Sequence, residues 1–364
     1  MEFRQESIAT LHDFGTADPN VAVDRLAVVV PVVGGDVDRR SVARTFEILA
    51  TVDPGHVVIP FRGTHPAARR CFRRCRNLGL DASVVWCNGP AVTSTLEGCG
   101  IEPAGGKGLD VWIALAIATE RADYVVVHDA DAYSYAPSHV PRLAWPLTQR
   151  ASFVKGYYAR IEDERMYGRV TRLLWEPLMA AIRTRWAGPA ITYLDGFRYP
   201  LAGEVAMTAE VARELALQPG WGLEVGMLLE AYRQLDTGRI VQVDLGNHRH
   251  DHRPVHGDGG IVSMAEVVAA TLIDGLRALG HPVDRDQVAR VYRDQTAAYV
   301  DRYALDAAFN DLNYDRAAEE ELIDEYHAAI TAETAREPLP SIAATDVEAA
   351  ALAEAGRITP GRVT

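Results

Sequence analysis

Four short runs rich in β-branched residues punctuate the first 131 residues: RLAVVVPVV (25–33), HVVIPF (56–61), ASVVWC (82–87) and DYVVVHDAD (123–131). They show little of the apolar–polar alternation of a half-exposed strand. Each therefore predicts a strand covered on both faces, as in a parallel sheet. Helix-length patterns separate them, at about 37–51, 66–78 and 109–121. Alternating strand and helix predicts an open α/β sheet. Ligands of such sheets sit outside the carboxyl ends of the strands, and the fourth run ends there on Asp129 and Asp131.

The second half is less regular. Residues 151–159 and 238–246 read as strands, and 165–186 as a helix with Pro177 as a kink. Helical patterns follow at about 262–279, 285–303 and 314–336. EPLPS then breaks the pattern, and a loose tail is expected beyond it. The organisation expected is an N-terminal extension (1–24), an α/β half ending just past the carboxylate pair (25–135), a less regular half (136–260), a helical region (261–340) and the tail (341–364).

Charge narrows the partners. Lys and Arg number 37 against 50 Asp and Glu, a net charge of −13. That balance argues against nucleic acid as the main partner, because a phosphate backbone selects basic faces. An anionic ligand would then need a cation or a local basic cluster. No apolar run approaches the roughly 20 residues of a membrane span. The first residues lack the basic-then-apolar layout of a signal peptide, so a cytoplasmic protein is expected. Cys71, Cys75, Cys87 and Cys99 have no zinc-like spacing and read as idle thiols. Only two of the basic residues are lysines, Lys107 and Lys155.

Three stretches carry candidate chemistry. At a strand end the chain turns, so Asp129 and Asp131 can approach one ligand. Carboxylates do not bind phosphate directly, but they hold Mg²⁺ or Mn²⁺, which neutralises a leaving diphosphate. GGKG (105–108) precedes a helix, where glycine amides and a helix start suit an anion and Lys107 adds a point charge. It is not a P-loop, because Gly108 sits where a metal-binding Ser or Thr belongs. GNHRHDHRPVH places His248, His250, His252 and His256 within nine positions; a neutral imidazole is a good further ligand to a divalent metal. Arg169 and Thr171, after Gly168, offer a guanidinium fork and a hydroxyl. Glu224 lies near another helix start, where capping is the plainer role.

Taken in order, GGKG, DAD, FVKGYY, GRVT with EPL, PLAGE, GWGLEVGMLLE and QVDLGNHRHDHR resemble the glucosyl-3-phosphoglycerate synthase family of retaining glycosyltransferases, which includes mannosyl-3-phosphoglycerate synthases. The likeness runs from about residue 26 to 279. It implies an α/β fold of the GT-A type, a Rossmann-like open mixed sheet flanked by helices, with a helical C-terminal region. It also implies a UDP- or GDP-hexose donor, a small anionic acceptor, Mg²⁺ or Mn²⁺, and a homodimer. Position by position, it assigns Asp131 and His250 to the metal, and Lys107, Asp129, Ala130, Pro31 and Val32 to the donor. Gly168, Arg169, Thr171 and His252 go to the acceptor; Glu224, Leu201 and Gly203 go to the reaction centre. The resemblance does not choose between UDP and GDP, or between glucose and mannose.

The sequence departs from that pattern in places. Val33, Gly34 and Gly35 stand where an Asn-Glu-type loop is expected, and PFRGTHP replaces an acidic, serine-bearing turn. His248 and His252 replace an arginine and an asparagine, and Trp221 replaces a tyrosine. Two rival activities share some of these features: a sugar nucleotidyltransferase and a non-catalytic nucleotide-sugar-binding protein. The first would carry its Gly-rich loop directly after the first strand, but VVGGDVD has no basic residue before Arg39.

Overall fold

The computed structural model describes residues 7–12, 19–103, 105–249, 255–257, 260–332, 334 and 336–359. Strand β1 (Ala9–Leu11) is followed by β2 (Leu26–Val29), β3 (Val32–Val33), α1 (Arg40–Val52), β4 (His56–Arg62), α2 (His65–Asn77) and β5 (Ala82–Trp86). Then come α3 (Pro90–Gly98), α4 (Lys107–Ala118), β6 (Tyr124–Val127), α5 (His139–Gln149), β7 (Phe153–Ala159), β8 (Ile161–Glu162) and β9 (Arg165–Met166). A π-helical segment, Val170–Trp175, leads into α6 (Glu176–Arg183) and α7 (Pro189–Asp195). The rest is β10 (Val205–Thr208), α8 (Ala209–Glu214), α9 (Leu223–Gln234), β11 (Ile240–Asn247), α10 (Ile261–Ala278), α11 (Arg285–Phe309), α12 (Arg316–Thr331) and α13 (Ala349–Ala355).

The strands form one nine-stranded sheet in the order β1-β11-β7-β10-β6-β2-β4-β3, with β5 beside β4. Every pairing is parallel except those of β10, which runs against both β6 and β7. The sheet is therefore mixed, as the resemblance implies. Its buried strands explain the continuous apolar runs: Ala27 and Val29 face one side, Leu26, Val28 and Val30 the other, and all five are 0% exposed. Val42, Phe46 and Leu49 of α1, Cys71 and Cys75 of α2 and Leu143 of α5 cover one face. The apolar α4 and the helices after residue 170 cover the other. The first predicted strand is split, because Pro31 has no N–H to donate to the ladder.

The single reversed strand matters for function. The chain leaves β2, β4, β6, β7 and β11 at their carboxyl ends. Because β10 is antiparallel, its N-terminal lead-in, residues 201–204, reaches the same rim. Ten or so strand-flanking side chains from distant parts of the sequence thus share one edge.

Three expectations need correction. The helix expected over 165–186 begins later, because residues 165–166 close a β8–β9 hairpin whose turn residues Asp163 and Glu164 take φ of 47° and 56°. The irregularity expected at Pro177 includes a widened turn ahead of it, with the Glu176 N–H donating to the Thr171 carbonyl. The extra width accommodates a residue that can make no backbone donation. Residues 341–359 of the expected tail are not loose. Trp112 Nε1 donates to the Pro340 carbonyl (2.8 Å), and the Trp86 N–H donates to the Gly356 carbonyl (2.8 Å). Helix α3, not expected from the sequence, lies under this tail, where Val92 and Leu352 are both 0% exposed.

Candidate active site

A cleft of about 390 Å³ opens at that rim, within the usual range of small-ligand sites. Pro31, Val32, Lys107, Asp129, Ala130, Asp131, Gly168, Arg169, Thr171, Leu201 and Glu224 all line it. Eleven residues singled out in the sequence therefore meet in one place, although they span almost 200 positions. Gly203 stands beside the cleft: a Cβ there would lie 2.3 Å from Asp129 Oδ2. His250 and His252 lie outside the described residues.

Lys107 is the electrostatic centre. Its Nζ is 2.6 Å from Asp129 Oδ1 and 2.8 Å from Glu224 Oε1. Burial pushes its pKa down, but the two carboxylates outweigh that and hold it well above the ordinary lysine value. Glu224, in the first turn of α9, engages this ammonium, which goes beyond the plainer capping role. Asp129 is likewise committed to Lys107.

The glycines around Lys107 do something other than expected. The first amides of α4 do not face an open anion site: the N–H groups of Gly108 and Leu109 donate to the Pro219 carbonyl at 3.1 and 3.4 Å. A Cβ on Gly106 would come within 2.4 Å of that oxygen, and one on Gly108 within 1.8 Å of the Gln218 carbonyl oxygen. Gly106 and Gly108 are glycines because another backbone crosses them. The charge available to a ligand is on the Lys107 side chain.

Asp131 follows the β6 turn and lines the cleft. That turn is bonded to the β11 exit: the Tyr133 N–H donates to the Arg249 carbonyl (2.6 Å), and the Arg249 N–H to Ser134 Oγ (2.9 Å). Among the described residues no three His, Cys, Asp or Glu side chains gather as a metal cluster. A carboxylate at the cleft suits a hard divalent cation that takes its remaining ligands from substrate oxygens and water, and Asp131 is placed for that role. His248 is otherwise occupied: it is 3% exposed, stacks on Tyr158 at 4.1 Å, and has Nε2 4.0 Å from Glu204 Oε1.

Across the cleft, Gly168 takes φ of 74°, and a Cβ there would meet Tyr199 Oη at 2.7 Å. Arg169 and Thr171 follow. Thr171 Oγ1 is buried and has no hydrogen-bond partner among the described residues. A buried hydroxyl without a partner is costly, and at a cleft wall it marks a group suited to a ligand.

Sequence reasoning missed three nearby groups. Arg62 lines the cleft and forks onto Asp110 (2.8 and 2.6 Å), one turn beyond Lys107. Glu204 is 2% exposed; burial first, and then Asp129, raise its pKa to about 7. Lys155 is buried beneath the 201–204 lead-in. Lys155 is one of two lysines and lies in FVKGYY, and Glu204 ends PLAGE, but neither motif assigned them a role; Arg62 sits in no such motif.

An α/β sheet with one reversed strand, a lysine-bound carboxylate pair and a facing arginine–threonine pocket on its carboxyl rim define a GT-A glycosyltransferase architecture. The comparisons agree. A glucosyl-3-phosphoglycerate synthase of Methanococcoides burtonii is 30% identical, over 91% of this chain and 88% of the relative. One from Persephonella marina is 33% identical, over 74% and 70%. The solved Mycobacterium tuberculosis glucosyl-3-phosphoglycerate synthase with Mn²⁺, UDP-glucose and phosphoglyceric acid superposes with a TM-score of 0.55 at 25% identity, covering 74% of this chain and 87% of that one. No family model matches the chain. The chain belongs to the glucosyl-3-phosphoglycerate synthase family and is a glycosyltransferase. Among the described residues no helix is long and apolar enough to cross a membrane.

Proposed function

We propose that the chain is a metal-dependent, retaining glucosyltransferase that moves glucose from UDP-glucose to the hydroxyl of 3-phosphoglycerate. The observation that carries this is the meeting, in one cleft, of the Lys107–Asp129–Glu224 cluster and the Gly168–Arg169–Thr171 pocket. The M. tuberculosis relative binds Mn²⁺, UDP-glucose and phosphoglyceric acid together, and another of its structures holds Mg²⁺ with UDP.

Pro31, Val32 and Ala130 wall the donor side, and Asp129 orients Lys107 toward the diphosphate. Asp131 and His250 would hold Mg²⁺ or Mn²⁺; the Arg249 bonds to the β6 turn support that pairing. A bound divalent ion supplies neutralisation of the departing diphosphate. Lys107 adds a second positive charge at the same oxygens. Glu224, fixed by Lys107, accepts hydrogen bonds from sugar hydroxyls. Arg169 and Thr171 clamp the acceptor phosphate, with the Thr171 hydroxyl free to donate, and His252 completes that side. The acceptor hydroxyl then attacks from the face the diphosphate leaves, beside the backbone of Leu201 and Gly203. That same-face attack keeps the anomeric configuration, and the hydroxyl proton passes to the leaving phosphate oxygen. Catalysis here is positioning plus charge stabilisation.

Two features support finer points. Leu305 and Phe309 lie one turn apart on α11, 74% and 87% exposed, as an apolar face that a second copy would cover. All four thiols are unbridged, which suits a reducing, cytoplasmic setting.

The test incubates the protein with UDP-glucose, UDP-galactose or GDP-mannose, with Mg²⁺ or Mn²⁺, with and without 3-phosphoglycerate. UDP release that requires both acceptor and metal, with an α-linked product by NMR, is expected. Pyrophosphate release from a nucleoside triphosphate and a sugar phosphate would instead establish the nucleotidyltransferase reading. Donor binding without transfer would leave a binding protein.

A further inference from the structure

We infer that Lys155 is a positioning residue for this reaction: its buried ammonium fixes the backbone of residues 201–203 against the cleft and, through Gly203, the Asp129 carboxylate. The inference rests on the glycosyltransferase reading above and adds a residue to it.

Lys155 stands in the middle of β7 and is 1% exposed. Its Nζ donates to the Ala202 carbonyl at 2.5 Å. In the sheet it pairs with Val205, the first residue of the reversed strand. The side chain therefore runs along the sheet face from the ladder to the rim, and ends under the segment that the ladder no longer holds. That segment, 201–204, is irregular. Leu201 faces the cleft, Gly203 packs within van der Waals contact of Asp129, and the Glu204 carbonyl accepts from the Gly156 N–H at 2.8 Å. Lys155 and Gly156 are adjacent, so β7 grips the segment from both sides of Gly203.

Burying an ammonium costs several kcal/mol, and a methionine or leucine of similar length would fill the space without that cost. Burial lowers the Lys155 pKa to about 8, although Glu224, Glu204 and Asp129 favour its charged form. A charge kept there does something packing does not. A charge-assisted hydrogen bond to a carbonyl is shorter and stronger than a neutral one, and it sets the peptide orientation. Turning the 202–203 peptide would move the backbone at Leu201 and open the space that Gly203 gives to Asp129. Asp129 holds Lys107, so the donor charges would shift with it. Displacements of about 1 Å at a reacting centre can cost 10²-fold in rate.

Two measurements test this. In Lys155→Met we expect melting within about 5 °C of the parent, a UDP Kd within threefold, and kcat lowered at least 30-fold at saturating substrates. A kcat within threefold of the parent overturns the inference. Amide exchange at residues 201–204 should rise in the same variant; unchanged exchange there also overturns it. The second measurement needs no stable variant at that position. With two lysines in the chain, protein labelled at lysine ¹⁵Nζ gives two side-chain signals, assigned by Lys107→Met. Both should move on adding UDP, Mg²⁺ and 3-phosphoglycerate. If Lys107 responds and Lys155 does not, this inference alone fails; if neither responds, the donor-site reading falls and takes the inference with it.

Discussion

Lys107 holds two carboxylates at once, and removing it leaves both without their partner in a poorly hydrated place. Breaking such a pair costs more than never having built it. For Lys107→Met we expect kcat to fall on the order of 10²–10³-fold, measured as UDP release with Mn²⁺, because a preorganised charge at the leaving group is lost. Thr171 separates stability from function. Its hydroxyl is buried without a protein partner, so Thr171→Val should leave melting unchanged or raise it, while KM for 3-phosphoglycerate rises about tenfold. Glu204 gives a pH signature. Its carboxyl titrates near 4.5 when unfolded and at about 7 in the folded chain, so the native state binds the extra proton between those values. Stability contributed by this group is complete below about pH 4.5 and lost as pH rises through 7. Glu204→Gln should therefore melt higher relative to its parent at pH 8 than at pH 5; an equal difference at both would remove the assignment. Lys107, Asp129 and Arg169 were visible as residues because each sits in a short motif. Arg62 lies outside those motifs, and Glu204, although it ends PLAGE, drew no role, because what makes both notable is burial and a partner far along the chain.

At the scale of elements, the same four letters GGKG had two readings, and only the neighbouring chain decided. The pattern looked like an anion-binding helix start, yet the Pro219 carbonyl takes the first amides of α4. Gly106 and Gly108 are required by that crossing. Gly108→Ala should destabilise by more than about 2 kcal/mol, since its Cβ would lie 1.8 Å from a backbone oxygen that cannot swing away. Gly98→Ala is the control: its Cβ meets nothing within 4 Å, and replacing a helical glycine there should stabilise by about 0.5–1 kcal/mol. Chemical denaturation of the two variants checks both signs. The π-helical turn before α6 belongs to this scale too. Pro177 was legible as an irregularity, but the sequence offered a kink. The structure widens the turn, and Thr171 is one of the residues in the widened ring.

Over the whole molecule, the final residues hold parts together that lie far apart in sequence. The segment after 338 bonds to Leu217, Trp112 and Trp86, and buries Leu339 and Leu352 against the sheet's helices. Deleting residues 341–364 should lower the melting temperature by several degrees, although no cleft residue is removed. The expected second copy would sit on α11; Phe309→Asp should convert a dimer to a monomer in light scattering, and a parent already monomeric would dismiss that interface. By itself the sequence determined that an α/β sheet forms, and where its strands end, because runs of β-branched residues admit burial on both faces and little else. It also marked the motif residues that meet in the cleft. Only the tertiary structure decided that β10 is reversed, that its lead-in joins the rim, and that a lysine from β7 reaches beneath it. Strand direction and close backbone crossing are contacts between distant segments, and local residue patterns carry no record of which segment the chain will bring alongside.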